Sequence, residues 1–208
     1  MQTPDDAELA RAWRAGDRAA GQALVERHYD GIVRFFRTKA GAHADDLVQR
    51  VFLVVADPDK GFRGESSFRT YLFGVARNVL FAHYRGRTRD DRIDDDVSLR
   101  SVHDLAPGLS SVAAQRADER LLFDALQRIP IDIQMTLELF YWEDLSIPEL
   151  AGVLEIPEGT VKSRLHRGRL LLEQAMERIA APSEARESVR VQLGRWALQM
   201  QAAAHGDG

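Results

Sequence analysis

The residues of this chain best suited to chemistry are cations set at helical spacing. Between Thr160 and Arg169 the run Thr-Val-Lys-Ser-Arg-Leu-His-Arg-Gly-Arg gathers Lys162, Arg164, His166, Arg167 and Arg169 without one acid. Such groups on one helix can pair with guanine edges or phosphates, and the hydroxyls of Thr160 and Ser163 can contact bases or phosphates. From charge alone, a solvated basic face in an ordinary helical bundle would look the same. The preceding segment separates the two readings. Ser146-Ile-Pro-Glu149 has the spacing of a reciprocal helix cap, with Pro tolerated in the first turn. A helix from Ser146, a stop near Glu155-Ile-Pro157 and a second helix opening at Glu158-Gly-Thr160 have the form of a DNA-binding helix-turn-helix. Val161, Leu165 and Leu172 are expected to face inward, leaving the polar residues near the amino end toward a major groove.

A second cationic group lies upstream. Arg63, Arg69, Arg77, Arg85 and Arg87 supply charge, and Asn78 supplies a paired donor and acceptor. Opening a duplex costs on the order of a few kcal/mol per unstacked base, so a melting protein needs a pocket for a flipped base and cations for the displaced strand. The polar, Gly-rich loop Asp59 to Ser67 has the composition of such a pocket. Phe68, Tyr71 and Phe73 could stack on bases, but at helical spacing Phe68 and Phe73 are expected in the core.

Catalysis is not expected. His28, His43, Asp45 and Asp46 are metal-ligand types, but their spacing gives no i, i+4 His pair with a third ligand. Asp45 and Asp46 serve better as negative charge at a helix start. No nucleophile elbow, phosphate loop or dinucleotide fingerprint occurs, so neither metal nor cofactor is expected.

The elements that must position these residues are helical throughout. Apolar residues recur at helical spacing in Leu24, Tyr29, Ile32, Val33 and Phe36, in Leu47, Val51 and Val54, and in Phe68, Leu72, Val75, Val79 and Leu80. Asp17, Asp45-Asp46 and Ser66-Ser67 mark their starts. Periodicity disappears from about Asp90 to Ser111, an acidic stretch that reads as a flexible connector able to span about 70 Å at roughly 3.3 Å per residue. It resumes through Leu121, Leu122, Ala125, Leu126, Ile129, Met135, Leu139 and Phe140. The expected fold is all-α, with two small helical domains joined by a flexible acidic linker and a helix-turn-helix in the second. The expected boundaries are 1–89, a linker 90–112, 113–181 and a tail 182–208.

Composition narrows the class. A chain of 208 residues with 45% hydrophobic residues can fill one large core or two small ones. A net charge of −4 counts against unaided nucleic-acid binding, yet the charge is segregated, with Asp90, Asp91, Asp94, Asp95, Asp96 and Asp104 crowded downstream of the arginines. Cysteine is absent, which removes disulfides and thiolate chemistry and fits a reducing cytosol. An acidic, polar amino terminus and the lack of a long apolar run argue against secretion and membrane insertion, so a cytoplasmic protein is expected.

The run Ile156 to Arg169, preceded by Leu137 to Ala151, closely resembles the fourth region of bacterial sigma factors. The resemblance implies that Thr160, Lys162, Ser163, Arg164, Arg167 and Arg169, with His166 beside them, read the promoter element about 35 base pairs upstream of the start. Response-regulator activators share a similar helix-turn-helix, so this half alone leaves open a regulator that binds DNA without joining polymerase. The second resemblance decides between them. Asp45-Asp-Leu-Val-Gln-Arg-Val-Phe52 resembles the second sigma region, implying that Asp45, Asp46, Leu47, Gln49, Arg50 and Phe52 dock on the polymerase clamp. Phe62 to Asn78 then resembles the loop and helix that open the minus-ten element, implying roles there for Arg63, Ser66, Arg69, Arg77 and Asn78, with Arg85 and Arg87 following. With only these two regions, the chain is similar to the extracytoplasmic-function group over roughly residues 20 to 180.

That group implies core RNA polymerase and promoter DNA as partners, no enzymatic activity, and an anti-sigma factor for which no residue here speaks. Arg50 stands where many relatives carry Glu, and Tyr71 where Trp is frequent. The acidic connector has two readings, a solvated spacer or an RNA-mimicking thread in the polymerase cleft. The tail after Pro182, with Val189, Val191, Leu193, Trp196, Leu198 and Met200, reads as a further helix needing a partner surface, which could be its own core, polymerase or a regulator.

Overall fold

The first helix starts where Asp5 and Glu8 cap each other. Glu8 N–H donates to Asp5 Oδ1 at 2.7 Å and Asp5 N–H to Glu8 Oε2 at 3.1 Å, closing the amino end of α1 (Asp6–Arg14). In this computed structural model, residues 4–57, 61–87, 97–105 and 117–179 are described. Asp17 accepts from Ala19 and Ala20 N–H at 2.9 and 3.3 Å to open α2 (Arg18–Ala40), which ends at Gly41 with φ 53°. A 3₁₀ turn leads into α3 (Ala44–Val55), whose first turn carries Asp45 and Asp46. Ser67 Oγ accepts from Thr70 N–H at 3.1 Å at the start of α4 (Phe68–Arg87). The expected helix starts in this half therefore hold, and α1 is an addition that its Asp5-x-x-Glu8 spacing could have announced.

Leu24, Ile32, Phe36, Leu47, Val51, Phe68, Leu72, Phe73 and Leu80 are buried between these helices. Tyr29 and Val54, placed by periodicity on the same inner faces, are instead exposed at 46% and 39%. Helical spacing gives a stripe but not its width, and both sit at the stripe's edge.

The second half contains α5 (Val102–Leu105), α6 (Ala117–Leu126), α7 (Ile131–Tyr141), α8 (Ile147–Leu154) and α9 (Glu158–Ile179). No strand occurs among the described residues, only a bridge between Ser101 and Pro130. The helix-turn-helix is α8 and α9. Ser146 and Glu149 cap each other as expected, and Glu155 takes a left-handed conformation, φ 56°, to turn the chain.

The linker differs in one detail from a solvated spacer. The described part of the acidic connector, 97–105, is docked: Val97 and Val102 are buried, His103 N–H donates to Gln127 O at 2.8 Å, and Ile131 N–H donates to Arg100 O at 2.9 Å. Two valines and a paired backbone override the polar composition around them. Asp90, Asp91, Asp94, Asp95, Asp96 and the tail 182–208 lie outside the described residues. The two modules also share one continuous core, with α4 packed on α8 so closely that a Cβ at Gly152 would sit 3.0 Å from Thr70 Cγ2.

Candidate nucleic-acid interface

The inner side of α9 is apolar, as its spacing requires. Val161, Leu165 and Leu172 are buried, and a Cβ on Gly168 would meet Ile133 Cγ2 at 2.8 Å, so α9 lies directly on α7. The same rotation turns Lys162, Ser163, His166 and Arg167 to solvent, while Thr160 and Arg169 are half-buried. Ser163 Oγ donates to Thr160 O at 2.9 Å and Arg169 Nη1 to Tyr141 Oη at 3.5 Å. Arg164 differs from its neighbours: its guanidinium lies 2.9 Å from Asp132, whose carboxyl burial pushes up from its ordinary value while Arg164 pulls it back. A sequence run cannot show that partner, 32 positions away.

The second cationic group divides between two faces of α4. Asn78 and Arg85 are exposed, whereas Arg69 and Arg77 turn toward the other module. Arg77 Nη1 donates to Glu155 Oε2 at 3.1 Å and its guanidinium lies 5.2 Å over the Phe81 ring. Arg69 lies 3.9 Å from Glu143, a buried carboxylate that also accepts from Arg34 at 3.0 and 3.3 Å. Burial pushes the Glu143 carboxyl up, and Arg34 then Arg69 draw it down. Arg63 and Ser66 are exposed in the loop before α4, and Ser66 Oγ donates to Ser67 O at 3.2 Å. The Arg87 side chain lies outside the described residues. Phe68 and Phe73 are core, as expected.

Around α3, Asp45, Asp46, Gln49 and Arg50 are exposed on one face. Leu47 is 1% exposed and supports this face from inside, on the apolar side of the amphipathic α3. Phe52 is half-buried and stacks on Tyr29 with centroids 5.9 Å apart. With Val25, Val48 and Leu53 these rings line a groove of about 400 Å³, and Leu53 is 64% exposed. Tyr29 is missed as a surface residue because its period places it inward, and Leu53 lies off the periodic positions of α3. His28, weighed as a metal ligand, instead pairs with Asp6 at 2.7 Å.

The chain matches the family "Sigma-70 region 2" over residues 24–90 and "Sigma-70, region 4" over residues 119–172. It is 30% identical over 183 residues to the RNA polymerase sigma-H factor of Pseudomonas aeruginosa, an alignment covering 83% of this chain and 94% of that one. It is 29% identical over 184 residues to the ECF RNA polymerase sigma-E factor of Haemophilus influenzae, covering 83% and 95%. A structure of CnrH in complex with the cytosolic domain of CnrY superimposes with TM-score 0.57 at 22% identity, covering 84% of this chain and 99% of that one. Sigma factor RpoE of Bartonella quintana, solved with the anti-sigma factor NepR, gives 0.58 at 19%, covering 75% and 96%. The two family matches and the relative at 30% identity define a two-region helical transcription initiation factor. The chain belongs to the extracytoplasmic-function group of RNA polymerase sigma factors.

Proposed function

We propose that this sigma factor docks on core RNA polymerase through the exposed face of α3 and carries it to a two-part promoter. The face of α9 bearing Lys162, Ser163, His166 and Arg167 reads the upstream element, with Thr160, Arg164 and Arg169 at its margins. The loop before α4 and the cations of α4 engage and open the minus-ten element. The observation that carries this reading is the helix-turn-helix whose basic residues are exposed while its apolar residues seat on α7. The protein supplies binding and deformation of DNA and performs no bond-making step of its own, in a cytoplasmic setting.

The described arrangement supports a closed form within that cycle. Arg69 and Arg77 are held by Glu143 and Glu155, so their use on DNA requires phosphates to replace those carboxylates. Polymerase, by holding both modules on one DNA, would raise the effective concentration of each contact. An anti-sigma partner, or the tail in its place, would act by favouring the closed form. The test is transcription in vitro of genomic fragments with purified chain and bacterial core polymerase. Promoter-specific transcripts are expected, and their absence across many fragments rejects the reading.

A further inference from the structure

Leu53 is the most exposed large apolar side chain among the described residues, and it shares the groove between α2 and α3 with the exposed Tyr29. Val25 and Phe52 line the same groove half-buried, and the buried Val48 backs it. An apolar patch with a polar rim marks a surface that a partner covers. The rim here is acidic. Asp45 lines the groove, Asp46 follows it on α3, and Glu26 and Asp30 stand next to Val25 and Tyr29 on α2, all four exposed. Arg50 is the only cation of α3, and Arg27 of α2 is held by Asp6 at 2.6 Å. The occupant that fits such a surface is a helix with an apolar stripe, cations on its flanks and no acid.

The chain itself carries such a segment. Beyond Ile179, where α9 ends, Val189, Leu193, Trp196 and Met200 recur at i, i+4, i+7 and i+11, the spacing of anchors that lie in a groove. Helical period places Arg190 and Arg195 on opposite flanks of that stripe, one for each acidic rim, with Val191 and Leu198 on the far side. From Ser188 to His205 no acid occurs, in a chain whose net charge is −4. The nine residues 180–188 lead from α9 to the stripe and extend about 30 Å at roughly 3.3 Å each. A body of roughly 180 residues has a radius of gyration of about 16 Å, so this lead is long enough to carry the stripe from one face to another. A second copy would offer the same stripe only at its own dilution, whereas a tethered segment is held near the groove at an effective concentration on the order of millimolar.

We infer that the segment 188–201 docks as an amphipathic helix in the α2–α3 groove of its own chain, with Leu193 and Trp196 against Tyr29, Phe52 and Leu53, and so covers the face through which the chain meets polymerase. This regulation rests on the docking of α3 on polymerase proposed above. While the groove is covered the chain stays in its closed form, and polymerase binds by displacing the segment.

No cysteine occurs in the chain, so introduced pairs report contact without background. In the full chain, Leu53→Cys is combined in turn with Val189→Cys, Leu193→Cys and Trp196→Cys, and Leu99→Cys, at a similarly exposed apolar site, gives the controls. With oxidised glutathione, at least one Leu53→Cys pair should close a disulfide within one chain about tenfold or more faster than its control, at a rate independent of protein concentration. Bonds formed chiefly between chains put a second copy in the groove, and rates equal to the controls leave it uncovered; either result overturns the docking. Against core polymerase, Leu193→Ser with Trp196→Ser should bind about tenfold more tightly than the wild type, as follows where the groove is open in about one chain in ten. Unchanged affinity overturns the regulation, and weaker affinity overturns it by making the segment a polymerase contact. Failure of wild type and variant alike to bind polymerase and give promoter-specific transcripts overturns the sigma reading, while the disulfides, formed without polymerase, still decide whether the segment fills the groove.

Discussion

The Lys39 ammonium and the Glu138 carboxylate meet between the two modules, 99 residues apart in sequence, one from each matched region and both shut off from water. Thr38 Oγ1 donates to the same carboxylate at 3.0 Å, Gln134 Nε2 donates to its other oxygen at 2.7 Å, and Lys39 also donates to Phe35 O at 2.9 Å. Desolvation pushes Lys39 down and Glu138 up from their ordinary values, and each draws the other back. The modules are therefore joined through a polar layer set within apolar packing. A buried pair often stabilises less than well-packed apolar residues, yet removing one member strands a charge. Glu138→Leu is expected to cost about 3 to 5 kcal/mol, while Lys39→Met with Glu138→Leu should recover that loss or exceed wild-type stability. Urea unfolding decides it, and a double variant as unstable as the single one contradicts this account of the layer.

At the other edge of the same contact, Arg77 and Glu155 pair at 3.1 Å with the carboxylate 70% exposed. Such a pair stabilises by less than about 1 kcal/mol. Glu155→Gln should therefore leave the melting temperature almost unchanged while freeing Arg77 for DNA. In the isolated chain at low salt, anisotropy with minus-ten DNA should show tighter binding for the variant, and adding Arg77→Ala should cancel the gain. Equal affinities for wild type and Glu155→Gln would mean that the carboxylate does not compete with DNA.

Gly168 tests how firmly the recognition helix is seated. Alanine at a helix interior normally gains about 1 kcal/mol over glycine. Here its Cβ would stand 2.8 Å from Ile133 Cγ2 and 3.1 Å from Leu137 Cγ and Cδ2, so α9 must shift or α7 must yield. Gly168→Ala is expected to destabilise by about 1 to 3 kcal/mol despite its helix propensity. A stabilised variant in a denaturant titration would show that the two helices have room between them.

Much of this was legible because local rules agree with the fold. Ser146 and Glu149, Asp17 and Ser67 mark helix starts by side-chain reach over two or three residues, and the inward Val161, Leu165 and Leu172 follow from one period. What was hidden depends on partners far along the chain. No local pattern ties Lys39 to Glu138, Arg34 to Glu143 or Arg164 to Asp132, and no period shows that Tyr29 lies at the rim of its stripe. Val97 and Val102 were passed over because two apolar residues in an acidic stretch carry no period, although the surface that receives them makes them core.

His28 gives the fold a pH dependence of defined sign. Burial lowers its pKa from the ordinary 6.5, outweighing the opposite pull of Asp6. The folded protein therefore binds fewer protons than the unfolded chain near that pH, so stability is full above about 6.5 and falls as the solution is acidified. Melting temperatures between about pH 7.5 and 5.5 should decline in the wild type, and His28→Gln should flatten the decline. An identical slope in both proteins would assign the dependence to other groups.

Arg164 and Arg167 lie one turn apart on α9, yet their replacement should read out differently. Arg167 is exposed, so Arg167→Ala should leave stability within about 0.5 kcal/mol and weaken recognition of the upstream element by about 1 to 3 kcal/mol if a base contact is lost. Arg164 neutralises Asp132, so Arg164→Ala strands a buried carboxylate and should cost about 1 to 3 kcal/mol of folding stability as well. Asp132→Asn tests the link, since it should remove most of the stability cost of Arg164→Ala when the two are combined. Denaturant titration and binding to upstream-element duplex, measured on the same four proteins, separate the roles. If Arg164→Ala proves as stable as Arg167→Ala, the pair with Asp132 holds nothing in place and Arg164 belongs with the solvent-facing readers.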